Sequence, residues 1–340
     1  MDILIRKYVK GRNDKIFEHL CSLVYEYYLM IDYSSINDVA NVICDSYYKN
    51  EKRGEKIMII TTTPSFAQAS VKAAIDNPNV RILNCSVNTS HRYIRTYYVR
   101  MHEVKFLMGA IAGAMAENDK ITYIADYPIY GTIANINAFA LGAKMVNPRA
   151  KVYLDWRCIK DNDTMENIKK LQPSCVSARD MLMPNDETRY FGIYYMDGEK
   201  LRNLAMPLLH WGKFYEQLVR AIIDGSWEYD DDSSLIKAIN YWWGMSAGVI
   251  DVVCSRNLPI GTQRLMELLK TTIMNGEFNP FTGVLYSQKG VVQPDEEKSL
   301  SPEEIVNMDW LAENVIGHIP TMDELLDSAI PVVMQQGIEK

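Results

Sequence analysis

A chain of 340 residues, at roughly 100–200 residues per domain, is long enough for two domains. Hydrophobic residues at 48% and charged residues at 23% exclude disorder over most of the chain. Acidic residues outnumber basic ones 43 to 36, a net charge of −7, which excludes a broad nucleic-acid surface because phosphate counterions are displaced by excess cation.

In chain order, Asp2–Tyr8 predicts a short strand, followed by a turn with Gly11 and Asn13. Phe17, Leu20, Cys21, Val24 and Tyr28 recur at helical spacing, predicting a helix from Asp14 to Met30. A second helix is expected around Ser35–Tyr48, opened by the cap-like Ser35, and Lys49–Lys56 reads as a charged loop. Lys56–Thr61 is a continuous apolar run, as in a strand buried on both faces. After the polar Thr61–Pro64, a helix is expected over Ser65–Asn77 and a strand over Asn79–Val87. Such alternation is the signature of a parallel α/β sheet.

His102–Glu117 reads as an apolar helix whose Gly109 and Gly113 allow close packing. Its apolar stretch, Phe106–Ala116, falls short of the roughly 18–20 residues that span a bilayer, so no membrane span is expected. A break near Asn118 precedes a second alternating set: strand Lys120–Asp126, helix Ile133–Met145, strand Lys151–Trp156 and helix Asp163–Leu171. Strands Cys175–Arg179, Tyr190–Tyr195 and Asn203–Leu208 follow. Beyond them lie a helix over Trp211–Ile223, a strand over Tyr241–Cys254 with turn residues Gly244 and Gly248, and a helix over Thr262–Met274. Phe281–Val292 predicts a hairpin, and Ser301 with Glu304 a capping box opening a last helix.

The start, MDILIRKYVKGRND, has no apolar core and no small-residue cleavage site, and no cysteine near it could carry a lipid. The expectation is a cytoplasmic protein as the chain stands, or an extracytoplasmic one if a leader has been removed. The 6 cysteines form no CxxC or Cys/His cluster, so buried free thiols are expected and a zinc site is not.

No GxGxxG follows a strand, and GxxxxGK[ST], GxSxG and HExxH are all missing, so no cofactor or metal is expected. The 5 histidines are isolated from one another. Aromatic residues instead gather where strands end: Phe17, Tyr127, Tyr130, Trp156, Tyr194, Tyr195, Trp211 and the pair Trp242 and Trp243. Open α/β sheets bind ligands beyond the carboxyl ends of their strands. Rings there, with Asp14, Asp126, Asp180 and Asp197 nearby, suit a flat ligand carrying donors and acceptors; packing is the competing role of each ring. Thr62 and Thr63 follow an expected strand and join the candidate ligand-binding residues, which are Asp14, Phe17, Thr62, Thr63, Asp126, Tyr127, Trp156, Asp180, Tyr195 and Trp242.

Tyr127–Ala143, YPIYGTIANINAFALGA, with Val146, Asn147 and Pro148 after it, resembles the basic membrane protein family of ABC-transporter solute-binding proteins. Gly109–Asn118 and the segments Phe281–Gly283, Met308–Trp310 and Val315–Pro320 extend the resemblance, and Asn13–Phe17 matches more weakly a family turn of the D-D-K-x-[FW] kind. The resemblance implies a type I periplasmic-binding-protein fold, two three-layer α/β lobes joined by a three-strand hinge, here residues 1–118 plus about 209–243 and residues 119–208 plus about 244–340. It implies a purine base or nucleoside as ligand, an ABC permease as partner, Phe17 as a stacking ring, and Asp14 and Asp180 as ligand carboxylates. One departure concerns ribose: where many members carry an Asp after the fourth strand of the second lobe, this chain has Tyr194, which makes a free base or another flat ligand more plausible. Two alternatives remain open: a cytoplasmic ligand-sensing regulatory domain and a nucleoside-cleaving enzyme working through Asp14 and Asp180. The expectation is a binding protein without catalysis.

Overall fold

The computed structural model describes residues 27–31, 57–61, 67–76, 81–86, 94–179, 191–198, 200–223 and 240–337. They form β1 (Tyr27–Ile31), β2 (Ile57–Thr61), α1 (Ala67–Asp76), β3 (Arg81–Cys85), β4 (Arg95–Val99), α2 (Met101–Met115) and β5 (Lys120–Ala125). Next come α3 (Thr132–Val146), β6 (Lys151–Trp156), α4 (Thr164–Leu171), β7 (Cys175–Ser177), β8 (Ile193–Asp197) and β9 (Lys200–Leu209). After these lie α5 (Trp211–Ile223), β10 (Tyr241–Trp243), β11 (Ile250–Cys254), α6 (Ile260–Met274), β12 (Leu285–Ser287) and β13 (Gly290–Gln293). The chain closes with α7 (Pro302–Val306), β14 (Val315–Ile316) and α8 (Ile330–Gln336). Two compact units result, residues 1–98 with 210–243 and residues 99–209 with 244–340, so the chain passes between them three times.

In the first unit, β1 to β4 run parallel in that order, and β10 joins beside β4. The apolar runs YYLMI and IMIIT suit strands of a parallel sheet covered on both faces. Helical spacing had carried a helix through Met30, but residues 27–31 pair along their whole length with β2. The local β preference of two tyrosines and an isoleucine, together with that pairing, outweighs the period. No strand is expected from the sequence at β4, although all five of its residues are buried: Arg95 and Thr96 make RTYYV look polar. Expected elements over residues 2–8 and 35–48, and most of the helix over 14–30, lie outside the described residues.

In the second unit, seven strands take the order β11-β9-β8-β7-β5-β6-β14. The four strands β7, β5, β6 and β14 are parallel, while β8, β9 and β11 alternate in direction. Two helices pack backbone to backbone on each other. A side chain at Gly109 or Gly113 of α2 would collide with the backbone of Phe139 or Ala143, and one at Gly142 of α3 with that of Phe106. Every residue of α2 from Met101 to Gly113 is buried. This packing places α2 in the second unit, so the first passage falls at Tyr98/Val99 instead of near Asn118. Among the described residues no helix is long and apolar enough to cross a membrane.

The expected strand over Tyr241–Cys254 is two strands in two different units. A single 3₁₀ turn, Met245–Ala247, interrupts it, closed by Gly248 at φ 66°, a conformation that favours glycine. Before that turn, Gly244 lies against the buried carboxylate of Glu103, which accepts the Met245 N–H at 2.7 Å.

The end of the chain is laced onto α3. Asn137 donates to the carbonyl of Trp310 at 2.7 Å and accepts the N–H of Ala312 at 2.8 Å, and Asn314 donates to the carbonyl of Ala140 at 2.9 Å. The expected capping box forms, with Ser301 N–H on the Glu304 carboxylate at 2.7 Å and Glu304 N–H on the Ser301 hydroxyl at 3.2 Å. Cys85, Cys158 and Cys175 are buried free thiols. Burial pushes the Cys158 thiol up to about 11 and the Cys175 thiol up to about 12, which makes both poor nucleophiles at neutral pH.

Candidate functional site

In the second unit the register pairs Ala125 with Trp156, Tyr123 with Ser177, and Ile316 with Tyr153. The carboxyl ends of β5, β6, β7 and β14 therefore finish along one edge of the sheet. Asp126, the residue after β5, stands between the residues that leave β6 and β7 on either side. It is 6% exposed. Its Oδ1 accepts a hydrogen bond from Arg157 Nη1 at 3.1 Å and faces Arg179 Nε at 3.5 Å.

Both arginines are fixed from behind. The Arg157 N–H donates to the carbonyl of Ala125 at 2.9 Å. The Arg179 carbonyl accepts from Lys105 Nζ at 3.1 Å, and the Arg179 guanidinium lies over the Phe191 ring, 5.9 Å from its centroid. Lys105 is itself fully buried, with its ammonium over the Tyr123 ring at 5.0 Å. Nearly half of each guanidinium-bearing side chain remains exposed, 49% for Arg157 and 43% for Arg179. The arrangement offers an excess of positive charge and a set of planar N–H donors to whatever lies beyond this edge.

Among the expected site residues, Tyr127 is half-buried beside Asp126. Trp156 reaches the same edge but is 3% exposed, and its indole N–H is committed to the His318 carbonyl at 2.8 Å. A ring so covered supports the edge from below and has no open face for stacking. Tyr195 is elsewhere. It pairs with Cys175, the first residue of β7, so it sits at the amino end of the parallel strands. There its hydroxyl donates to Glu117 at 3.0 Å and Arg202 covers its ring. Its direction follows from β8 running against β7: chain order puts Tyr195 near a strand end, but the opposite one.

The first unit has its own carboxyl edge. Thr61, at the end of β2, donates through its hydroxyl to the Leu83 carbonyl at 3.2 Å and accepts from the Asn84 amide at 2.6 Å. Its carbonyl accepts the Tyr97 hydroxyl at 3.1 Å. Tyr97 belongs to a ring cluster with Trp211, Phe214 and Tyr215, and Phe214 continues it to Trp243 at 4.9 Å. Trp242 is half-buried on β10 and, by strand alternation, faces away from Tyr241 and Trp243. Asp14, Phe17, Thr62, Thr63 and Asp180 lie outside the described residues.

Arg157, Arg179 and Lys105 were not anticipated. The available signal was position: Arg157 directly follows Trp156, and Arg179 closes the expected strand Cys175–Arg179. Neither is a ring or a carboxylate, the residue types that mark a flat ligand carrying donors in the sequence. Among the described residues no group of His, Cys, Asp or Glu could hold a metal ion.

Residues 25–166 match the family described as Bmp, ABC transporter substrate-binding protein PnrA-like. The chain is 24% identical over 287 residues to a purine-binding protein of Brucella abortus (strain 2308), covering 80% of this chain and 79% of that protein. It is 26% identical over 217 residues to TsgA13 of Haloferax volcanii, named as a candidate ABC transporter glucose-binding protein, covering 59% of this chain and 53% of that one. A solved ABC transporter solute-binding protein from Conexibacter woesei superposes with a TM-score of 0.51 at 14% identity, over 78% of this chain and 91% of that one. The α/β architecture is thus that of the periplasmic-binding-protein class, as the sequence implied. Through residues 25–166, a stretch that includes its Tyr127–Ala143 motif, the chain is similar to ABC-transporter substrate-binding proteins of the basic membrane protein family.

Proposed function

We propose that this chain is a substrate-binding protein that takes a purine base or purine nucleoside, for delivery to an ABC permease. The observation that carries the reading is the likeness to a purine-binding protein along 80% of the chain. The carboxyl edge of the second unit supports it chemically: Asp126, Arg157 and Arg179 are preset polar partners of the kind a heterocycle with ring acceptors requires. In this reading Asp126 and Tyr127 belong to the binding surface, with Trp156 as its support. Asp14, Phe17, Thr62, Thr63, Asp180 and Trp242 complete the proposed set, with Phe17 as the stacking ring. Tyr195, held at the far end of β7, is left out of it.

The reading is one of binding without turnover. Protein purified in mild conditions and then denatured should release an intact purine or nucleoside, seen by mass spectrometry in near-stoichiometric amount. A released hexose, or a free base that accumulates from added nucleoside in proportion to protein, would count against it. The glucose-binding name of the Haloferax relative makes the hexose the outcome most worth looking for.

A further inference from the structure

We propose that Arg157 and Arg179 select the ligand by its acceptor edge, so that 6-oxopurines such as hypoxanthine bind more tightly than adenine. This rests on the purine reading above and narrows it.

Because β7 and β6 flank β5, the residues leaving the two outer strands converge on the one leaving the middle strand. Asp126 engages a single nitrogen of each guanidinium, Nη1 of Arg157 and Nε of Arg179. A guanidinium has five N–H donors, so each fork keeps donors beyond the one its carboxylate contact takes. Asp126 also fixes where the forks lie, and the Phe191 ring beneath Arg179 adds to that restraint. The carboxylate itself is 6% exposed, so among the described residues this edge presents guanidinium donors more than carboxylate acceptors.

Hypoxanthine and adenine have similar shapes and differ at the 6 position. Along one edge hypoxanthine offers two acceptors, N7 and O6, the pattern an arginine fork matches with two parallel hydrogen bonds. Adenine keeps N7 but replaces O6 with an amine, setting N–H against N–H. A site built for one pattern rejects the other because its own polar groups are left unpaired. Lysine in place of either arginine would keep the charge beside Asp126 and lose the planar fork.

The test is calorimetric titration of ligand-free protein with hypoxanthine and with adenine. The expected result is hypoxanthine binding about tenfold to a hundredfold more tightly. Arg157→Lys and Arg179→Lys should each bring the ratio of the two affinities towards one. Equal affinities, or tighter adenine, would overturn the proposal and leave the purine reading standing. A preference unchanged in both variants would overturn the assignment to these arginines. Failure of folded protein to bind either base, or their nucleosides inosine and adenosine, would overturn the purine reading and this inference with it. The comparison within the unaltered protein stands even if a variant folds poorly.

Discussion

His102 is buried on α2, with its ring against Phe281 at 5.6 Å between centroids. Burial, with the charge of Arg100 adding to it, pushes the imidazole down to about 3 from an ordinary 6.5. The folded state therefore holds this group neutral, while the unfolded chain binds a proton below pH 6.5. Its contribution to stability is complete above pH 6.5 and is lost as the pH falls from there towards 3. Denaturant melts across that window should show His102→Phe losing less stability than the parent on acidification; parallel pH profiles would refute the assignment. Residue by residue, legibility from sequence was uneven. Asp126 stood out because it follows an apolar strand, whereas His102 and Lys105 are polar residues at the start of an apolar helix and are buried. Nothing in α2's own sequence tells that its polar side chains are covered too, since that depends on α3 and the sheet packed around it.

At the scale of elements, Glu103 joins the start of α2 to the segment that follows β10. Its carboxylate accepts the Met245 N–H at 2.7 Å, Arg100 stands 3.7 Å away, and burial holds its pKa above the ordinary carboxylate value despite both. Gly244 has an extended backbone, φ −128° and ψ −151°, that any residue could adopt, so its glycine is required by space alone. A methyl there would meet the Glu103 carboxylate. Gly244→Ala should cost about 1–3 kcal/mol, the range for overpacking. In a Glu103→Ala background the same change should cost much less, as a double-mutant cycle in urea would show. Equal costs in both backgrounds would mean that some other contact demands the glycine. The turn itself was visible in the sequence as Gly244 and Gly248, but a run of Tyr, Trp and Val on both sides read as one strand. Only the partition into two units shows that its halves join different sheets. At β6, preceded in sequence by Asn147 and Pro148, and at α5, followed by Asp224 and Gly225, the expected and observed limits coincide.

At the scale of the molecule, the alternation of strands and helices carried the fold class, because parallel pairing needs crossover helices and covered strands. The boundary between the units was harder to read, since α2 is joined to its unit through glycine contacts with α3 some thirty positions away. The ligand edge was legible in part for the same reason: strand ends are marked in sequence, while the strand order that brings Arg157 and Arg179 to one carboxylate is not. The proposed role of the whole molecule is to bind a purine-type solute. Ligand that binds the folded state alone adds RT ln(1 + [L]/Kd) to stability, about 2.7 kcal/mol at a hundredfold excess over Kd. The most direct measurement is the melting temperature of ligand-free protein with added hypoxanthine, guanine, adenine, their nucleosides and, separately, glucose. The account predicts a rise with at least one purine compound and none with glucose; a rise with glucose and with no purine would contradict it.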